Sequence, residues 1–198
     1  MATFTKTQNV SLLALQSVAS NTVVMSAVQD VTTKISAFIG IHFGRRVVTA
    51  LTAGVEIRIE GSLTGSGDLQ WFPLATFMTT TAAVEAEAVS GTVSGGTNVI
   101  TVASTTNLTV RDLIYIDNTT ITDGQWGRIK AVATNTSVTI EDNLVNAQTG
   151  ATLYDGAEFF AAQLDLSSVG RIRLVVDASN TGVAVAVQAI MVTCDSIG

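Results

Sequence analysis

The segment Gly54-Val55-Glu56-Ile57-Arg58-Ile59-Glu60-Gly61 alternates apolar and charged residues with a strict period of two. Successive side chains of a β-strand point to opposite faces, so Val55, Ile57 and Ile59 share one face and Glu56, Arg58 and Glu60 the other. A near-twin lies late in the chain at Arg171-Ile172-Arg173-Leu174-Val175-Val176-Asp177, with Ile172, Leu174 and Val176 inward and Arg171 and Arg173 outward. If the two strands are neighbours, their outer faces form cross-strand ion pairs, each worth a few tenths of a kcal/mol.

The same signature, β-branched residues alternating in short stretches, recurs along the chain, and helix-period stripes are scarce. Further strands are expected at Val23–Val28, Ile35–Phe43, Val48–Leu51, Gln70–Phe77, Val183–Ala189 and Ile190–Cys194. The glycine-rich stretch from Gly61 to Asp68 reads as a loop. Strands at roughly ten-residue spacing with turn signals between them predict an all-β fold, an antiparallel β-sandwich of jelly-roll type.

Composition narrows the function classes. Of 198 residues, 13% are charged and 47% hydrophobic, too apolar a chain to stay disordered. Ten Lys and Arg against 16 Asp and Glu leave a net charge of −6, which gives no electrostatic reason to expect a nucleic-acid partner. One cysteine, Cys194, and one histidine, His42, build neither an intramolecular disulfide nor a zinc site. The start, Met1-Ala-Thr-Phe-Thr-Lys6, lacks the basic head and apolar core of a secretory signal. The longest charge-free run, Thr7 to Gln29, is studded with Ser, Thr, Asn and Gln, so no membrane span is expected despite the positive mean hydropathy.

Between about Val89 and Gly156 the pattern tightens. Short alternating stretches follow one another at Ser90–Val102 (entered from a glycine turn), Asp112–Asp117, Trp126–Val132, Ser137–Glu141 and Ala151–Tyr154, with turn residues at Asn118, Asp123-Gly124, Asn135 and Thr149-Gly150. So many strands in so few residues suit a compact barrel. The expected organisation is a discontinuous β-sandwich domain, residues 1–88 plus 157–198, with a small β-barrel domain, residues 89–156, inserted in one loop. A single continuous sandwich is the alternative.

The residues that carry chemistry elsewhere find bland explanations here. His42, in Ile41-His42-Phe43-Gly44, has no accompanying nucleophile or orienting acid and reads as a strand histidine satisfied by a neighbour. Glu56 and Glu60 are four residues apart on one strand, about 13 Å, which is beyond the roughly 5–9.5 Å of paired glycosidase carboxylates. With Arg58 between them they read as a charge ladder, and Glu85 and Glu87 as solvated charge in an Ala-rich connector. Asp117, Asn118, Asp123 and Gly124 lack the ligand order of a calcium loop and read as turn residues. Asn9, Asn107, Asn118 and Asn135 open Asn-x-Ser/Thr triplets that, without a signal sequence, are not expected to be glycosylated. Cys194 reads as a small buried hydrophobe. Trp71 and Trp126 read as core anchors, a sugar-binding platform being the functional alternative. No catalytic residue, cofactor site or metal site is nominated, and an enzyme is not expected.

The inserted stretch, with Gly91-Thr-Val-Ser-Gly-Gly-Thr-Asn-Val-Ile-Thr-Val-Ala103, Asp112-Leu-Ile-Tyr-Ile-Asp117, Gln125-Trp-Gly-Arg-Ile-Lys130 and Val138-Thr-Ile-Glu-Asp142, resembles small β modules of tailed-bacteriophage virion proteins. Its flanks, with Val55-Glu-Ile-Arg-Ile-Glu-Gly-Ser62, Trp71-Phe-Pro-Leu-Ala-Thr-Phe77 and Gly170-Arg-Ile-Arg173, resemble a phage β-sandwich carrying such a module. That resemblance implies a structural role: a capsid decoration, or cement, protein on the virion surface, made in the host cytoplasm. It implies the major capsid protein and copies of the chain itself as partners, a homotrimer being favoured. A neck or tail protein and a carbohydrate-binding adhesion module are the alternatives. Residues Ala2 to Gln29 are expected to form either an arm laid over a neighbouring subunit, ordering on binding, or a first edge strand of the sandwich.

Overall fold

A computed structural model describes residues 9–63 and 70–195. The loop expected over Gly61–Asp68 and the arm expected from Ala2 therefore lie partly outside the described residues. Eight strand positions build a sandwich: β1 (Val10–Val18), β2 (Val23–Met25) continued by the short β3 (Gln29–Asp30), β4 (Lys34–Arg45), β5 (Glu56–Ser62), β6 (Phe72–Met78) and, after a long excursion, β15 (Glu158–Asp165), β16 (Arg171–Asp177) and β17 (Val185–Asp195). Sheet A runs β1-β17-β4-β15 and sheet B runs β2-β16-β5-β6, with β3 also on β16. Every pairing is antiparallel.

This order is a jelly roll. The first sandwich strand pairs with the last (β1–β17), the second with the second-last (β2–β16), the third with the third-last (β4–β15), and the middle two with each other (β5–β6). A hairpin of four such pairs wrapped around a core gives the two facing sheets.

The core lies between them. Ala37, Ile39, Ile41 and Phe43 of β4 and Val185, Val187, Ala189 and Met191 of β17 face Ile57 and Ile59 of β5 and Ile172, Leu174 and Val176 of β16, all buried. For β5 and β16 these are the inward parities read from the sequence. The expected ion pairs are present as well: Arg173 lies opposite Glu60 in the ladder, and its guanidinium meets that carboxylate at 2.8 Å.

The excursion carries β7 (Ala86–Ala88), β8 (Thr92–Val93), β9 (Val99–Thr101), β10 (Leu113–Asp117), β11 (Gln125–Ala133), β12 (Ser137–Ile140), β13 (Gln148–Thr149) and β14 (Thr152–Tyr154). Six of them form one curled sheet, β7-β14-β10-β11-β12-β9, while β8 pairs with β13. Its two outermost strands, β7 and β9, come together just beyond their ends at a Val89–Val102 bridge, so the sheet curls as a half-barrel that touches itself at one end. It encloses a second core, with Ile100, Ile114, Ile116, Ile129, Val138, Ile140 and Leu153 at its centre.

Several expectations need correction. Residues 10–18 are no free arm: they form an edge strand of sheet A that buries Leu12, Leu13 and Val18. Val48–Leu51 is not a strand, because its backbone bonds go singly to the crossing segment, Val84 N–H to Val48 O at 3.0 Å and Leu51 N–H to Thr81 O at 2.9 Å. The strand expected at Val23–Val28 stops at Met25 because the Ser26 hydroxyl accepts the Leu174 N–H at 2.9 Å, displacing the ladder. Val183–Ala189 and Ile190–Cys194 are one strand, β17, since no turn residue interrupts them.

Candidate interaction surface: the outer face of sheet A

Sheet A has an outer face, opposite the core, made by the even-numbered residues of β4 and β17 and the odd-numbered residues of β15. One half of it is covered by the half-barrel. Tyr115 of β10, fully buried, packs there with Ala157 and Ala186, and Leu15, Leu113, Ile121 and Trp126 close around them. Gly44 makes this approach possible, because a Cβ at that position would lie 2.5 Å from Cγ of Tyr115.

Polar bonds pin the same junction. Trp126 Nε1–H donates to the Phe43 carbonyl at 3.0 Å. Arg46 Nε donates to both carboxylate oxygens of Asp117 at 3.0 Å, and its Nη1 donates to the Ser17 hydroxyl at 2.9 Å. The guanidinium thus ties β4, β10 and β1 together. Burial, and then the Asp117 charge, push the Tyr115 phenol up from its ordinary value.

Four rings form a row across the face. Tyr115 meets Trp126 at 4.9 Å between centroids, Trp126 stacks on His42 at 5.2 Å, and His42 meets Phe159 at 4.9 Å. Such pairs contribute about 0.5–1.5 kcal/mol each beyond area burial. The row starts buried under the half-barrel and ends in solvent, where Phe159 is 47% exposed. Phe159 leans over Gly40, with its ring carbons 3.1 Å from where a Cβ there would stand.

Beyond that ring the face is open. Phe38, 49% exposed, lies between its ladder neighbours Val192 and Gln163. Gly40 has Ile190 and Ala161 beside it, and Ser36 has Cys194. None of these side chains is charged, but Asp165 of β15, exposed and opposite Ser36, stands on the same face. At one end of the open half stands the ion pair of Lys34 with Asp195. At the other, against the half-barrel, lies a cavity of about 250 Å³ lined by His42, Leu113, Trp126, Arg128, Asp142 and Phe159.

His42 is held differently from the expectation. No polar neighbour satisfies its Nδ1, which is buried without a hydrogen bond, and aromatic rings hold the imidazole instead. Burial lowers its pKa from the ordinary value. Cys194 is not the buried hydrophobe expected either: it is half-buried on the outer face, while its neighbour Thr193 points into the core.

The remaining candidates are absorbed by structure. Arg58 bridges Glu56 and Glu60 at 3.2 Å each, completing the ladder on sheet B. Glu87 lies in β7 opposite Leu153, a strand rather than a connector, and the Glu85 N–H donates to Asp155 at 2.7 Å. The Asn118 amide donates to Ala147 O and Gln148 Oε1 at 3.1 Å, and Gln148, fully buried, donates to the Asp123 carbonyl at 2.9 Å. These groups hold a turn, and among the described residues no cluster of three or more His, Cys, Asp or Glu side chains is arranged to hold a metal ion. Trp126 is packed against both His42 and Tyr115, and the Arg173 guanidinium covers Trp71 at 4.2 Å.

Sequence reasoning missed Arg45. It is fully buried at the end of β4, donates Nη2 to the Ala82 carbonyl, and has no partner for Nε or Nη1. Desolvation lowers its pKa, opposed by the Glu158 charge. The signal was present: Ile39, Ile41, Phe43 and Arg45 share one parity, so the strand pattern places Arg45 on the core side.

No family model matches the chain, and no curated protein matches it. Among solved structures it is similar to the SPBc2 prophage-derived protein YomS, at 9% identity and a TM-score of 0.33 over 97% of this chain and 96% of that one. It is similar also to VP17, a capsid protein of bacteriophage P23-77, at 11% identity and a TM-score of 0.22 over 98% of both chains. A chain of infectious bursal disease virus, Gx strain, aligns at 10% identity and a TM-score of 0.25, with 98% of this chain and 42% of that chain covered. Likenesses this distant assign no function.

Proposed function

We propose that the chain is a structural protein of a phage virion, acting as a homo-oligomeric decoration protein on the capsid exterior, with no catalytic role. The observation that carries this reading is the open half of sheet A. The sheet presents a largely apolar face with two half-exposed phenylalanines, and exposed apolar patches of this kind mark surfaces that other proteins cover. The sequence resemblance to phage β modules favours a shell partner. Jelly rolls recur in viral capsids and also in lectins, so the fold alone supports the reading only by analogy. The names of the similar structures are of the same kind, but the reading does not rest on them.

In this role the mechanism is mechanical. Area buried between subunits opposes the outward pressure of a packaged genome, chiefly through apolar and backbone contacts. The test is the copy number of this chain in purified particles, quantified against the major capsid protein. Hundreds of copies are expected. A dozen or so would move the protein to the neck or tail, and absence would overturn the reading.

A further inference from the structure

We propose that the cleft between the half-barrel and the β1 side of sheet A is a binding site for a neutral oligosaccharide of hexopyranose units. The inference goes beyond the reading above and does not depend on it.

The cleft is a cavity of about 450 Å³, within the roughly 300–1,000 Å³ of small-ligand sites. One wall is the outer face of sheet A, where Leu15 of β1, Gln188 of β17 and His42 of β4 stand in adjacent strands, Gln188 directly opposite His42. The other wall is the loop 142–146, which follows β12. That loop is held in shape without a ligand. Gln125 Nε2–H donates to the Asn143 carbonyl at 3.2 Å, Gln125 Oε1 accepts the Val145 N–H at 2.8 Å, and Gln148 Nε2–H donates to the Asn146 carbonyl at 3.2 Å. A wall fixed in advance spares a ligand the cost of ordering it.

The polar groups around the cavity select the ligand. The side chains of Asp142, Asn143, Asn146 and Gln188 border it, and among the described residues none of the four makes a hydrogen bond or ion pair within the chain. An amide both donates and accepts, so three unspent amides match a ligand that does both along its length. Hydroxyl groups do, whereas ammonium and guanidinium groups only donate and carboxylates only accept. Asp142 carries the one fixed charge on this cavity and the chain has a net charge of −6, so an anionic ligand is repelled. The same carboxylate accepts from two neighbouring hydroxyls at once. Leu15, Val145 and Trp126 add apolar surface for the C–H face of a pyranose ring.

The site leaves the open half of sheet A free. The smaller cavity described above shares His42, Trp126 and Asp142 with this one, but Phe159 borders only the smaller. A sugar in the larger cavity lies over β1 and β17, so one copy holds a shell partner and a sugar at the same time.

The test is a fluorescence titration of the full chain carrying Trp71→Phe, which leaves Trp126 as its one tryptophan. The probes are maltohexaose, cellohexaose, mannohexaose and chitohexaose, with hexagalacturonate as the acidic control. At least one neutral sugar is expected to change the Trp126 emission saturably in the millimolar range or below. Saturation-transfer NMR with the wild-type chain detects a sugar that leaves the emission unchanged. Gln188→Ala and Asn146→Ala are each expected to weaken binding about fivefold, the worth of one hydrogen bond, with unchanged urea midpoints. Phe38→Ser is expected to bind as the wild type does. No binding of any neutral sugar by either method overturns the proposal, as does binding that both amide variants leave intact or binding of hexagalacturonate alone. None of these outcomes changes the particle copy number, so this inference and the virion reading fail separately.

Discussion

The ring of Tyr115 occupies the space that a side chain at Gly44 would need. A Cβ on Gly44 would lie 2.5 Å from Tyr115 Cγ and 2.7 Å from its Cβ, and both partners are buried. The contact joins the half-barrel to the jelly roll. Gly44→Ala should therefore destabilise the protein by about 1–3 kcal/mol, the usual cost of overpacking. Urea denaturation followed by tryptophan fluorescence reads this at the junction, because Trp126 packs on the same tyrosine. An alanine variant as stable as the wild type would mean that the two parts do not press together there.

His42 makes stability depend on pH in a definite direction. Burial depresses its pKa in the folded state below the ordinary 6.5. Between the folded value and 6.5 the unfolded chain binds the proton more readily, so stability rises with pH across that window and falls as the pH drops below 6.5. Aspartates whose pKa is lowered, such as Asp177, act only below their ordinary 3.8, outside this window. Asp155, raised by burial, acts in the opposite sense from 3.8 upward. The urea midpoint should fall between about pH 7.5 and pH 5.5 in the wild type and fall less in His42→Gln. Equal slopes in the two proteins would remove His42 as the cause.

Arg45 clasps the segment that leads from β6 to β7. Its guanidinium bonds the Ala82 carbonyl from a fully buried position, and the same segment is tied to β4's continuation by Val84 N–H and Leu51 N–H. Arg45→Ala leaves that carbonyl without its donor and opens a void, at a cost of about 2–4 kcal/mol. Hydrogen exchange should show lost protection at Val84 and Leu51 ahead of the β16 amides. Uniform loss across the molecule would contradict a local clasp.

The first strand belongs to the core. Leu13 is buried against the sandwich interior and pairs opposite Ala189 of β17. Leu13→Ala should cost about 2–5 kcal/mol, measured as a shift of the denaturation midpoint. A negligible shift would return residues 10–18 to the arm reading.

Strand parity was legible wherever one face is buried and the other charged, as in Val55–Glu60 and Arg171–Asp177, because a period of two with charges on one side admits only one orientation. It was hidden where both faces are apolar or covered. Residues 10–18 carry Leu12 and Leu13 side by side, since irregular pairing with β17 between Ser11 and Gln16 turns both toward the core. The wrapped order of the jelly roll depends on pairings more than 100 residues apart, such as Val10 with Met191, which no local pattern carries. Of the interaction surface, His42 and Trp126 stood out by rarity, but their stacking depends on two separate cores folding against each other. Phe38 and Phe159 drew no notice, because an outward phenylalanine on a strand looks in sequence like an inward one.

The central claim is that Phe38 and Phe159 lie at a protein interface when the protein is at work. Hydroxyl-radical footprinting of the chain in purified particles, against the same chain dilute in solution, measures this residue by residue. Oxidation of Phe38 and Phe159 should fall severalfold in the particle while Val145 is unchanged. Equal oxidation of both phenylalanines in the two states would contradict the account.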